Sequence, residues 1–206
     1  MRRRALIKAV AAAAASAACS PPVRAAGAIP LPRVGAPLAL GDVPLLDGGM
    51  FRASEAEGEV LVIYWWASWC PFCAVQGPYI QALWDAQRAS GLKMLGLSVD
   101  RRIEDARRHM AAKGYTFPSG WNTPEVEKVL PRPGRALPVT CVRGRDGRVL
   151  LAETGEMFPE EVERIARFLS ACMPLQNGQI LGMKTTPSTQ KIRFSGNPTF
   201  TKSLKR

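Results

Sequence analysis

Two cysteines three residues apart, Cys70 and Cys73, stand where an apolar run gives way to a helical pattern, in Trp69-Cys70-Pro71-Phe72-Cys73. At i and i+3 in a first helical turn, two sulfurs lie close enough to close a disulfide ring. Backbone N–H groups at a helix start have no intrahelical partner, and the helix dipole adds positive potential there. Both favour a thiolate at Cys70. The thiolate is the form that attacks sulfur, so Cys70 reads as the attacking cysteine and Cys73 as the resolving one. Pro71 suits the first turn, because its missing N–H would have gone unbonded anyway. A pair with this spacing is also half of a zinc site, or a plain structural disulfide. No second such pair exists, and the single histidine, His109, falls on a separate helix. Four-ligand zinc therefore lacks partners, and the best copper set on offer adds only His109 and Met157. The expectation is no metal, and no cofactor beyond a redox-active Cys70–Cys73 disulfide.

The surrounding pattern alternates strands and helices. Val60 to Trp66 is a near-continuous apolar, β-branched run, as in a central strand covered on both faces. After the cysteines a helix runs to about Ser90, with Val75, Tyr79, Ile80, Leu83 and Trp84 on one stripe, and Gly91 ends it. Leu92 to Val99 reads as a second strand, followed by a charged helix from Ile103 to Ala112 that Gly114 stops. Thr123-Pro124-Glu125 starts a short helix. Pro138 to Val142 and Arg148 to Ala152 are strands joined by a Gly144-Arg145-Asp146-Gly147 turn. Pro159-Glu160-Glu161 opens a last helix with Val162, Ile165, Ala166 and Leu169 inward. The sum predicts an α/β fold with a central mixed β-sheet flanked by helices on both faces.

The chain has 206 residues, 47% hydrophobic and 22% charged, ordinary for a globular protein with one domain and appendages. It has no apolar run long enough for a spanning helix, and five cysteines are too few for a disulfide-stapled scaffold. The net charge of +11 invites a nucleic-acid reading, but its distribution opposes one. Residues 1–28 carry five basic residues and no acid, and residues 175–206 carry six and no acid. The remaining 17 Lys and Arg face all 17 Asp and Glu, so the folded part has no basic surplus and no nucleic-acid partner is expected. Clusters such as Arg101–Arg102, Arg107–Arg108 and Arg143–Arg145 read as solvated faces.

Three segments follow. Residues 1–28 read as an export signal, with a basic start, an apolar core from Ala9 to Ala18 and small-residue cleavage options near Ala26-Gly27-Ala28. Arg3-Arg4-Ala5-Leu6-Ile7-Lys8 resembles a twin-arginine signal, and Ser16-Ala17-Ala18-Cys19 offers a degenerate lipoprotein box as the alternative. A periplasmic location is expected. Residues 29–174 form the folded domain. Residues 175–206 are basic and polar, too poor in apolar surface to offset their ordering entropy, so disorder is expected.

Trp65-Trp66-Ala67-Ser68-Trp69-Cys70-Pro71-Phe72-Cys73 resembles the active site of the thioredoxin superfamily, in the style of the exported TlpA/ResA/DsbE-like thiol–disulfide oxidoreductases. The resemblance spans residues 36–172 and takes in Leu97-Ser98-Val99-Asp100, Leu137-Pro138-Val139-Thr140, Asp146-Gly147 and Pro78. It implies a thioredoxin-like fold, with Pro138 cis against the cysteine pair and the Leu137 backbone offered to a substrate peptide. Trp69, Pro71 and Phe72 would line the apolar docking surface. Two positions depart from the pattern. Tyr64 stands where related reductases carry a buried Asp, and Gln76 where ResA-like members carry a Glu, so neither expected proton acceptor is a carboxylate.

The function expected is reduction of extracytoplasmic protein disulfides by a monomer fed with electrons from a membrane donor. Cytochrome c maturation and metal-centre assembly are the client pathways the resemblance brings. The alternatives are a disulfide oxidase or isomerase, or a non-catalytic copper- or haem-delivery chaperone using the same pair. Cys141 and Cys172 read as buried free thiols, with a second disulfide between them as the sharper option. His109 is expected on a solvated helix face.

Overall fold

The computed structural model describes residues 29–170, so the expected export segment, the basic tail, Cys19 and Cys172 lie outside the described residues. The apolar run forms strand β3 (Leu61–Trp66), buried at every position. It is the middle of a five-stranded sheet with β4 (Lys93–Ser98), β5 (Ser119–Trp121), β6 (Val139–Arg143) and β7 (Val149–Thr154), in the order β5-β4-β3-β6-β7. β3 runs parallel to β4 and antiparallel to β6, giving the expected mixed sheet. A two-stranded hairpin, β1 (Val43–Pro44) with β2 (Met50–Phe51), precedes it.

Alternation along β3 sorts the two faces. Tyr64 lies opposite Gly96 and Thr140, while Ile63 lies opposite Cys141. The Tyr64 face receives α1 (Pro71–Gln87), whose Gln76 bonds Thr140. α4 (Pro159–Arg164) packs along α1. α2 (Ile103–Lys113) lays His109 over Trp66 on the same face. Two glycines allow the close packing there. A Cβ on Gly96 would meet Ser119 Oγ at 2.6 Å, and one on Gly77 would meet the Tyr115 hydroxyl at 2.5 Å.

The other face is covered by the N-terminal segment, with α3 (Pro124–Val129) beside it, where Val129 packs on Gly41. That segment is a strap. Near its start Gly35 and Ala36 exchange backbone hydrogen bonds with Val149 on edge strand β7, and further along Leu46 donates to the Ser119 carbonyl on β5, the opposite edge. Each edge strand is thereby capped at one point along its outer side, which shortens the open ladder that could pair with another chain. Arg143 fastens the strap by donating to the Leu38 and Ala56 carbonyls, and Arg107 donates to Leu46. Arg143 is therefore half-buried and structural rather than part of a solvated cluster, while Arg107 stays exposed, as expected of a solvated face.

Three further expectations are corrected. Val75 is exposed, because the buried stripe of α1 runs through Cys73, Gln76, Gly77, Ile80 and Leu83; Val75 falls between those positions. His109 is half-buried rather than solvated, stacked on Trp66 at 5.4 Å and edge-on to Tyr115 at 6.0 Å. The last helix is broken into α4 and α5 (Arg167–Ser170).

Candidate active site

Cys70 is the N-cap of α1, with an extended backbone and Pro71 in the first turn. The Cys73 backbone N–H points at the Cys70 sulfur, N···S 3.4 Å. One of the orphan donors of the helix start is thus aimed at the atom that must carry charge. The Cys70 thiol in turn donates to the Leu137 carbonyl at 3.7 Å. The Leu137–Pro138 peptide is cis, and both residues are buried. The structure therefore brings Cys70, Cys73, Leu137 and Pro138 together, from the start of one helix and the loop entering β6.

The turn ahead of Cys70 is held by Asp100, just past the end of β4. This buried carboxylate accepts from the Ser68 backbone N–H (3.1 Å), the Ser68 hydroxyl (2.7 Å) and the Ser98 hydroxyl (2.7 Å), and its own carbonyl accepts from Trp121 Nε1 (2.7 Å). A buried carboxyl group is tolerable only when its oxygens are partnered in this way. The sequence offered Asp100 as part of a motif, but its role as anchor of the cysteine turn depends on a contact 32 residues apart.

The two cysteines differ in surroundings although both are buried thiols. Burial pushes the Cys73 thiol up to about 12, the Cys70 sulfur adds to the rise, and the Ala67 backbone amide and the Tyr64 hydroxyl pull against it. At about 1.4 kcal/mol per pH unit, ionising Cys73 at neutral pH costs several kcal/mol. It is thus held as a neutral thiol while Cys70 sits at the mouth of the site. Gln76, fully buried, spends both ends of its amide, donating to the Thr140 hydroxyl (3.0 Å) and accepting from the Met157 backbone N–H (2.9 Å). It ties α1 to β6 and to the loop before α4, a role that sequence reading missed. The signal was present: a polar residue on the buried stripe of α1.

Large apolar side chains are exposed on both sides of Cys70 in the chain. Trp69 is 66% exposed and Phe72 55%, with Val75 and Phe158 also exposed. Trp69 also lines a cleft of about 780 Å³ with Asp100, Arg101, Asn122, Glu127, Arg132 and Arg135. Cys141 is a buried free thiol on the far face of the sheet, so its pairing with Cys172 rests on a residue outside the described ones. Among the described residues, no cluster of three His, Cys, Asp or Glu is placed to hold a metal ion, and no helix is long and apolar enough to cross a membrane.

Comparisons with known proteins agree with this geometry. The AhpC/TSA family profile matches residues 34–132. A thiol-disulfide oxidoreductase ResA from Halalkalibacterium halodurans is 22% identical over 128 residues, covering 60% of this chain and 70% of that protein. The ResA of Geobacillus kaustophilus is 26% identical over 119 residues, covering 58% and 68%. Among solved structures, a thioredoxin-family thiol:disulfide interchange protein from Chlorobium tepidum superposes with a TM-score of 0.61 at 19% identity, covering 68% of this chain and 99% of that one. A solution structure of a protein described as a putative disulfide isomerase from Bacteroides thetaiotaomicron gives 0.62 at 20% identity, covering 70% and 96%. The fold is thioredoxin-like.

Proposed function

We propose that this chain, a thioredoxin-fold thiol–disulfide oxidoreductase similar to the ResA and DsbE types, reduces disulfides of extracytoplasmic proteins through Cys70 and Cys73. The observation that carries the reading is the Cys70 sulfur at the N-cap of α1. It receives the Cys73 N–H, touches the Leu137 carbonyl beside a cis proline, and is ringed by exposed Trp69 and Phe72. Cys70 attacks the client disulfide and forms a mixed disulfide, releasing one client thiol. Cys73 then attacks the Cys70 sulfur, freeing the second client thiol and leaving the Cys70–Cys73 disulfide. The client gains two electrons and the pair loses them. The apolar rim and the Leu137 backbone hold the client strand during both steps.

Reduction is favoured over oxidation by the chemistry of the dipeptide. A strong oxidant needs a reduced form stabilised as thiolate, and Pro71-Phe72 brings neither a cation nor a histidine to the sulfur. The pair is the only redox group the reaction requires, so no further cofactor is invoked. Residues 1–28 supply export, the protein acts as a monomer, and a membrane donor re-reduces it. Clients include the cysteine pairs of cytochromes c and of metal-centre assembly proteins.

The test is Cys73→Ser presented to extracytoplasmic extract and resolved without reductant. The reading expects client proteins held on Cys70 in bands that reductant collapses. No such adducts, with Cys70 intact, would contradict it.

A further inference from the structure

Buried hydroxyls nearly always find a hydrogen-bond partner, but the Tyr64 hydroxyl has none, on oxygen, nitrogen or sulfur. Tyr64 is 1% exposed, in the middle of β3 and beneath the first turn of α1. Cys73, in that first turn, is the buried group it interacts with, and in the resting thiol the two fall short of a hydrogen bond. The neighbouring polar groups are engaged elsewhere: Thr140, opposite Tyr64 on β6, accepts from Gln76, and the Gln76 oxygen accepts from Met157. Phe117 closes the remaining side of the ring, edge-on at 6.3 Å.

We propose that Tyr64 is a positioning residue for the resolving step, its hydroxyl donating a hydrogen bond to the Cys73 sulfur as that sulfur becomes a thiolate. This rests on the reading of Cys73 as the resolving thiol. In that step Cys73 gives up its proton and its sulfur attacks Cys70. The Cys70–Cys73 bond forms as the Cys70–client bond breaks. The electron pair leaves on the client sulfur, which takes up a proton, so the net change is one thiol converted for another. Tyr64 keeps its proton throughout, because burial holds its phenol well above 10.

It is therefore a donor and not a base. The titratable groups acting on the two partners are Cys70 from α1 and Tyr115 from the segment after α2; the Ala67 amide adds a fixed dipole, and no carboxylate contributes. A donor that does not titrate gives the same help across the working pH range, where a carboxylate in its place would add a second inflection.

The experiment mixes reduced protein with a disulfide-bearing peptide, quenches with acid, and follows the Cys70 mixed disulfide by mass spectrometry against pH. For Tyr64→Phe the mixed disulfide is expected to persist about tenfold longer, the worth of one hydrogen bond to a charged group. The pH at which resolution accelerates moves upward by about one unit. The rate of the first attack is unchanged, and the thermal midpoint is equal or higher, since no partnered hydrogen bond is lost. An unchanged lifetime and pH profile would overturn the proposal, and a lowered midpoint with that same unchanged profile would assign the hydroxyl to packing alone. Cys73→Ser separates the two readings. If it releases peptide as fast as the natural protein, the resolving assignment fails; if it traps peptide while Tyr64→Phe behaves normally, only the role of Tyr64 fails.

Discussion

Cys73 and Cys141 lie on opposite faces of the sheet, and burial drives both thiols to about 12. Their surroundings are otherwise unlike. Cys141 meets burial alone. Cys73 meets a second sulfur, a backbone amide and a buried hydroxyl. Burial by itself makes a thiol inert, since the thiolate is the reactive form; partners that appear only on one face make the same neutral thiol usable at the moment of attack. The cost is a face that tolerates less change, because its polar groups depend on one another.

The largest expected effect follows directly. Cys73→Ser loses multiple turnover by on the order of 10³-fold or more, while Cys141→Ala stays within about twofold of the natural rate in the same insulin-reduction assay. Comparable losses from both would erase the contrast between the faces.

Next is the anchor of the cysteine turn. Asp100→Ala strips acceptors from the half-buried Ser68 amide and hydroxyl and from the buried Ser98 hydroxyl; the buried group left unpaired costs about 1–3 kcal/mol, and the two that water can reach cost less. Denaturant unfolding of the reduced protein should lose about 2–4 kcal/mol in total, with slower attack by Cys70. Full stability in this variant would mean that the turn holds itself.

A smaller effect is expected from Gly77→Ala. The new methyl would sit 2.5 Å from the Tyr115 hydroxyl, which a rigid ring cannot easily withdraw. Overpacking of this kind costs about 1–3 kcal/mol. Adding Tyr115→Phe should return part of it in a double-mutant cycle; strict additivity would exclude the contact.

The effect that vanishes at neutral pH, and so comes last, is a pH slope above 9. The thiols of Cys73 and Cys141 ionise near 9 when unfolded and near 12 when folded. Their contribution is complete below 9, and between 9 and 12 the unfolded chain sheds protons that the folded one retains, so stability falls as pH rises. The fall approaches about 1.4 kcal/mol per thiol for each pH unit. Denaturant midpoints of the reduced protein across this range should decline, and less steeply in Cys141→Ala. An identical slope in that variant would show that Cys141 is less enclosed than Cys73.

What the sequence revealed follows the range of the interactions. The cysteine pair, the helix it starts, the central strand and the Leu137-Pro138 loop are written in contiguous residues. Their order also foretold the mixed sheet. The strap of residues 35–46 was not legible, because it is irregular backbone whose hydrogen bonds go to Ser119 and Val149, far along the chain. Val75 misled because it is apolar while the buried Gln76 next to it is not. His109 looked solvated on a helix of low hydropathy, and only the fold brings Trp66 beneath it. Tyr64 stood out in the sequence as a missing carboxylate; its unpartnered hydroxyl needed the structure.

The most direct test of the central claim is equilibration of the protein with glutathione buffers, followed by Trp fluorescence and by mass spectrometry of trapped thiols. Trp69, adjacent to Cys70, is the reporter. One two-electron transition confined to Cys70 and Cys73 is expected, at a reducing potential near that of thioredoxin, with Cys141 alkylated only after unfolding. A transition at the strongly oxidising end would make the protein a disulfide donor, and no transition in this pair would contradict the account altogether.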